Sequence, residues 1–209
     1  MIFVCWAEAS ALDDKKEYPL SDYRVDKLRH ISKAEVRRAS IGVELLLHKM
    51  LRQVDADLAL PPRILCAEGG KPYLADCALY FNLSHSGPYV ACALSDSPVG
   101  VDLQMNTKAQ DRLINRVLTE EEREWLLSCE DRDAAFTELW CRKESFLKAT
   151  GEGLVGGLQS FSVSPGSDKP IYNGEAFKIL HRSFPDFHLA VCYPASMTGT
   201  IRFEQSELI

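Results

Sequence analysis

Apolar residues recur at three- and four-residue spacing over residues 33–51, at Val36, Ala39, Val43, Leu46, Leu47 and Met50, and this period predicts a long amphipathic helix. A second helix is predicted over residues 133–150, where Phe136, Leu139, Trp140, Lys143, Phe146 and Leu147 share one arc and Gly151 and Gly153 end it. Thr119-Glu-Glu-Glu122 predicts another helix start, with Thr119 as cap and Glu122 at the capping-box position. Between these helices the pattern turns to short apolar runs. Strands are expected at 1–6, 79–83, 89–94 and 99–103, and three more close the chain at 161–164, 176–184 and 188–193. The five residues Ser84-His-Ser-Gly-Pro88 are expected to form the turn between the second and third strands.

The order strand, helix, strands occurs twice, and the two rounds break near residues 95–98. Tyr89-Val-Ala-Cys-Ala-Leu94 and His188-Leu-Ala-Val-Cys-Tyr193 fall at comparable places, although residue identity hardly repeats. No run of regular βαβ units occurs, so the expected class is α+β: two similar halves, 1–97 and 98–209, with a ligand cleft between them.

Composition narrows the partners. The chain of 209 residues carries 24 Lys+Arg against 30 Asp+Glu, a net charge of −6, which argues against a surface that wraps nucleic acid or lies on anionic lipid. No apolar stretch approaches the roughly 18–20 residues of a membrane span. Residues 1–6 lack the basic start of a signal peptide and read as a strand, so a cytoplasmic protein is expected. Seven cysteines with no C-x-x-C spacing predict buried free thiols rather than a zinc ribbon or a redox motif.

Four groups of residues carry candidate chemistry. Glu144 and Lys148 are four apart, so they share one side of the second helix, with Arg142 and Lys143 close by. Taken alone this is an ordinary surface pair; beside the apolar arc it also suits a metal held together with a phosphate. Asp102 lies in an apolar strand within Gly100-Val-Asp-Leu103, where a buried carboxylate needs a cationic partner; a bulge with a solvated Asp is the alternative. Asn82-Leu-Ser-His-Ser-Gly87 offers hydroxyl, imidazole and N–H groups at a turn, the kind of site that binds anions. Arg24, Lys27, Arg29, Arg37, Arg38 and Lys71 scatter positive charge through the first half. Neither a P-loop nor a G-x-S-x-G elbow is present.

In order, Gly69-Gly-Lys-Pro72, Asn82-Leu-Ser-His-Ser-Gly87, Gly100-Val-Asp102 and Leu139-Trp-Cys-Arg-Lys-Glu-Ser-Phe-Leu-Lys148 resemble the Sfp-type 4′-phosphopantetheinyl transferases. The resemblance implies two α+β halves related by a pseudo-twofold axis. It also implies Mg²⁺-dependent transfer of the phosphopantetheine arm of coenzyme A to a serine of an acyl or peptidyl carrier protein, with release of 3′,5′-ADP. Asp102 and Glu144 match the family's magnesium ligands, and Gln104 stands where many members carry a second acidic residue. Lys71, Pro72, Ser84 and His85 match residues that hold the nucleotide and its phosphates, Arg38 matches an arginine at the 3′-phosphate, and Lys143 and Lys148 match lysines near the pyrophosphate. Arg24 and Lys27 match an upstream basic pair. Glu144 is the expected proton acceptor and Lys148 the partner of the leaving phosphate. The carrier is expected to dock on residues 111–130 through apolar side chains such as Leu113, Val117 or Leu118, with weak salt dependence. The internal duplication favours a monomer.

Overall fold

The computed structural model describes residues 1–151, 157–166 and 170–208. Along the chain come β1 (Ile2–Glu8), α1 (Asp22–Leu28), α2 (Ala34–Val54), β2 (Ile64–Cys66), β3 (Pro72–Leu74), β4 (Tyr80–Ser86), β5 (Tyr89–Ser95) and β6 (Gly100–Met105). Then follow α3 (Asp111–Val117), α4 (Glu120–Ser128), α5 (Arg132–Thr150), a 3₁₀ turn at Leu158–Ser160, β7 (Ile171–Tyr172), β8 (Glu175–Ser183), β9 (Phe187–Pro194) and β10 (Ile201–Gln205). The chain divides into two compact units, Met1–Pro98 with Gly199–Ile209, and Val99–Thr198. The last segment, expected to end the second half, belongs to the first unit because β10 pairs in parallel with β1, from Ile2 beside Ile201 to Trp6 beside Gln205.

In the first unit the sheet order is β10-β1-β5-β4, so β5 runs antiparallel between β1 and β4. One face gathers Phe3, Cys5 and Ala7 of β1, Val90, Cys92 and Leu94 of β5 and Phe81 of β4 around Ala39, Val43, Leu46, Leu47 and Met50 of α2, the stripe the helical period predicts. In the second unit the order is β6-β9-β8-β7, with β9 antiparallel between β6 and β8. Strand, long helix and hairpin thus recur as β1, α2, β4–β5 and β6, α5, β8–β9, and the two apolar runs noted in the sequence are β5 and β9.

α5 is buried on two arcs. Thr137, Cys141, Ser145 and Ala149, spaced by four, are all at most 3% exposed, and the Cys141 thiol donates to the backbone carbonyl of Asp102 on β6. Phe136, Leu139 and Leu147 instead join Leu126, Leu158 and Val163 in a second cluster. The helix starts on Asp131, whose side chain accepts from Ala134 N–H, and stops at Gly151, whose φ of 77° lies in the left-handed region open to glycine. Gly153 lies outside the described residues. α4 has the expected capping box, Thr119 and Glu122 each accepting from the other's backbone N–H.

Three expectations change. The segment 161–164 is not a strand: the Phe161 carbonyl accepts from Lys143 and the Val163 N–H donates to Glu122, so side chains take backbone groups that a ladder would use. The turn after β4 uses only Gly87 and Pro88, which leaves Ser84 and His85 inside the strand. Cys5, Cys92, Cys141 and Cys192 are buried as expected, whereas Cys66 is exposed. Burial pushes the Cys5 thiol up to about 12.

Candidate functional site

β6 and α5 bring Asp102, Glu144 and Lys148 together. The reason begins at Gly100. A Cβ there would lie 2.1 Å from the Ser145 carbonyl oxygen and 2.3 Å from the Ala149 nitrogen, so the α5 backbone rests directly on the start of β6. This close approach, rather than a bulge, accounts for the glycine. Two residues on, Asp102 takes the same face of the strand and meets the last two turns of the helix. Lys148 Nζ donates to Asp102 Oδ1 at 2.6 Å. Asp102 is 5% exposed, so the ammonium supplies the cationic partner its burial demands. One turn before Lys148, Glu144 is half-buried; burial, then the neighbouring Asp102 charge, hold its carboxyl above the usual range, with Lys148 opposing.

The Asp102 charge is close enough to hold the Glu144 carboxyl up, and two acidic side chains set this near one another offer oxygen donors to a cation. Among the described residues no three His, Cys, Asp or Glu side chains form a cluster that could hold a metal ion, and Asp102 and Glu144 are the two carboxylates available at this point. That donor set fits Mg²⁺, which commonly takes one or two carboxylates and completes its shell with phosphate oxygens and water. Gln104, two residues beyond Asp102, uses its amide N–H to donate to Thr107 Oγ1 at 3.3 Å, which orients its carbonyl oxygen away from that contact. It also lines a small pocket of about 100 Å³ with Leu113, Phe136 and Trp140.

Lys143 is not part of this group. It is wholly buried, its Nζ 2.9 Å from Glu122 Oε2 and 2.6 Å from the carbonyl oxygens of Leu158 and Phe161. An ammonium has three protons and here it has three acceptors, so the expectation that Lys143 contacts a pyrophosphate gives way to a structural role. The signal was in the sequence: Lys143 falls on the apolar arc of α5. Glu122, at 0% exposed, is the residue the sequence undervalued. It caps α4, accepts from Val163 N–H and pairs with Lys143.

In the first unit Arg38 and His85 line one cleft of about 490 Å³ with Ser10, Glu35 and Gly87. His85 reaches it because it shares the α2-facing side of β4 with Phe81; Ser84 points to the opposite face and is 6% exposed. The adjacent pair therefore serves two different faces. Lys71, just before β3, and Pro72, its first residue, are both half-buried and are not among the residues lining that cleft. Arg24, matched to an upstream basic pair, is buried instead: its guanidinium donates to Glu44 Oε2 at 3.2 Å and to Ser40 Oγ. Lys27 is exposed, with its ammonium 4.6 Å from the Tyr23 ring centre. Of the apolar residues considered for docking, Val117 and Leu118 belong to the core and Leu113 is half-buried, whereas Leu127 is 69% exposed.

The family model of the 4′-phosphopantetheinyl transferase superfamily matches residues 98–192, most of the second unit. Among curated relatives, 4′-phosphopantetheinyl transferase psf-1 of Bacillus pumilus is 32% identical over 168 residues, 76% of this chain and 71% of that protein. 4′-Phosphopantetheinyl transferase Sfp of Bacillus subtilis is 31% identical over 174 residues, 78% of this chain and 77% of that protein. 4′-Phosphopantetheinyl transferase gsp of Aneurinibacillus migulanus is 34% identical over 141 residues, 65% of this chain, and the match spans only 57% of its length. The resemblance carried by Gly100-Val-Asp102 and by the Trp140 to Lys148 segment therefore extends over the greater part of two full relatives, and this chain belongs to the family of 4′-phosphopantetheinyl transferases.

Proposed function

We propose that the protein transfers the 4′-phosphopantetheine arm of coenzyme A to a serine hydroxyl of an acyl or peptidyl carrier protein in a Mg²⁺-dependent reaction that releases 3′,5′-ADP. The observation that carries this reading is the meeting of Asp102, Glu144 and Lys148, two carboxylates and one ammonium delivered by a strand and a helix. Asp102 and Glu144, with Gln104 as a neutral third donor, are the residues to hold Mg²⁺, which when bound neutralises charge on the pyrophosphate. The serine oxygen forms a bond to the phosphorus that carries the pantetheine, and the bond from that phosphorus to the ADP side breaks. Glu144 accepts the serine proton. Lys148 pairs with the phosphate that leaves. Arg38 and His85 suit the nucleotide's anionic end, since they line one cleft and both present nitrogen donors; Lys71, Pro72 and Ser84 are assigned to the nucleotide by resemblance alone.

Mass spectrometry of an apo carrier protein incubated with coenzyme A and Mg²⁺ tests the reaction. A carrier heavier by one phosphopantetheine group is the expected result. Free phosphopantetheine with an unchanged carrier points to a phosphodiesterase, and no change in either species to a binding module.

A further inference from the structure

Lys148 Nζ lies 2.6 Å from Asp102 Oδ1, the carboxylate to which the proposed function gives a Mg²⁺ ion. The Asp102 side chain is 7% exposed and that of Lys148 27%, so the acid is fixed in the protein while the ammonium sits at the end of a flexible stem that reaches solvent. An ammonium and a divalent cation crowding one buried carboxylate repel each other, and Mg²⁺ needs its oxygen ligands at about 2.0–2.1 Å in a near-octahedral shell. Occupation of Asp102 by the lysine and by the metal are therefore competing states. Something must draw the ammonium away when the metal enters, and the substrate's pyrophosphate is the anion with the charge to do it.

We propose that Lys148 is the resident counter-ion of Asp102, exchanged for the metal when the coenzyme's pyrophosphate takes the ammonium. The proposal rests on the coenzyme A reading above and adds an order to it. Mg²⁺ alone competes against the lysine and binds weakly; with coenzyme A present the competition is lifted. By linkage, Mg²⁺ tightens coenzyme A by the same factor that coenzyme A tightens Mg²⁺. The resident pair also keeps Asp102 neutralised between turnovers, so the site does not depend on a permanently held metal for its stability.

Calorimetric titration of MgCl₂ into the wild-type protein, Lys148→Met and Lys148→Arg, each with and without saturating coenzyme A, tests this. Without coenzyme A, Lys148→Met binds Mg²⁺ about tenfold tighter than wild type, the scale of losing one charge-assisted hydrogen bond, and Lys148→Arg stays near wild type. With coenzyme A the pyrophosphate holds the ammonium, so the advantage of Lys148→Met disappears and the two proteins bind Mg²⁺ to within about twofold of each other. A simple field effect of the lysine charge would leave Lys148→Met the tighter binder in both conditions and would overturn the exchange. Equal Mg²⁺ affinity of wild type and Lys148→Met without coenzyme A would overturn it as well. If coenzyme A alters Mg²⁺ affinity in none of the proteins, the coenzyme reading and the exchange it drives both fall, while the titrations without it still show whether Lys148 holds Asp102 against the metal. Should Lys148→Met melt below the titration temperature, Lys148→Gln serves in its place with the same expected result.

Discussion

Both units build the same three-strand order under a long helix, yet the strand faces beneath the two helices differ in kind. Beneath α2 stand Phe3, Cys5 and Ala7, all at most 5% exposed and part of one apolar cluster. The corresponding strand beneath α5 presents Gly100, Asp102 and Gln104. An apolar strand face holds its helix at side-chain distance, whereas a glycine lets the helix backbone touch the strand and brings the last two turns of α5, with Glu144 and Lys148, onto a carboxylate. Close packing of this kind demands a small residue, and in the first unit the small residue is on the helix: Gly42, whose added Cβ would meet the Ala9 Cβ at 3.0 Å. One scaffold thus serves as a plain core in one unit and as a polar site in the other.

The two units also share a device. Each buries one ion pair that ties a short helix to a long one, Arg24 with Glu44 in the first and Lys143 with Glu122 in the second. In each the carboxylate also accepts from the N-cap backbone of the short helix, Ser21 or Thr119. Such pairs gain little over apolar residues of the same size, but losing one member leaves a buried charge. The largest stability effect is therefore expected from Lys143→Met, a loss of about 3–5 kcal/mol in chemical denaturation. A double variant, Lys143→Met with Glu122→Leu, should recover part of it. Arg24→Met should cost a similar amount; a much cheaper substitution in one unit would break the parallel.

The glycines give the next effect. Gly100→Ala forces its Cβ into backbone atoms that cannot turn aside, and should cost at least about 1–3 kcal/mol. Gly42→Ala meets Ala9 Cβ at 3.0 Å, Leu208 Cδ1 at 3.1 Å and Val90 Cγ1 at 3.4 Å, contacts relieved by a shift of a few tenths of an ångström, and gains about 1 kcal/mol of helix propensity, so its melting temperature should stay within a few degrees of wild type. Equal shifts for both would remove the claim that α5 touches β6 through Gly100.

Acid should separate the units by a smaller margin. His181 Nε2 and His188 Nδ1 lie 2.9 Å apart, and burial, helped by Arg142 and the partner ring, lowers the His181 pKa from 6.5 to about 3. Burial lowers His188 as well, against the pull of Glu138 and Asp131. A histidine held neutral in the folded state takes up its proton on unfolding, so this stability is complete above pH 6.5 and declines as the pH falls below it. In the first unit burial pushes Glu44 up, but the His48 ring 3.5 Å away, the hydrogen bonds from Ser21 and the Arg24 charge outweigh it and hold the carboxyl below 4.5; its contribution is lost only as the pH falls below 4.5. Amide exchange near pH 5 should therefore quicken in β8 and β9 before it does in α2. The opposite order would contradict the assignment of these groups.

Much of this was legible in the chain. The helical period placed α2 and α5, the capping box placed α4, and the i, i+4 spacing put Glu144 beside Lys148. What escaped reading depends on contacts distant in sequence. Ser84 and His85 separate onto opposite faces because β4 runs on to Ser86, and only the pairing with β5 reveals that length. β10 joins β1 across the whole chain and leaves no local trace in a five-residue run. Segment 161–164 has strand composition but gives its backbone groups to Lys143 and Glu122. Lys143 itself was grouped with the phosphate lysines on the strength of resemblance, although its place on the apolar arc already pointed inward.

The central claim is that the polar face under α5, and not its apolar counterpart under α2, carries the transfer. The most direct test is the initial rate at which an apo carrier protein gains phosphopantetheine mass with wild type, Glu144→Gln and Cys5→Ala at equal concentrations of folded enzyme. The account predicts a rate lowered roughly 10²–10⁴-fold by Glu144→Gln, the range of a lost general base, and a rate within a few-fold of wild type for Cys5→Ala. A Glu144→Gln enzyme within a few-fold of wild type would contradict it.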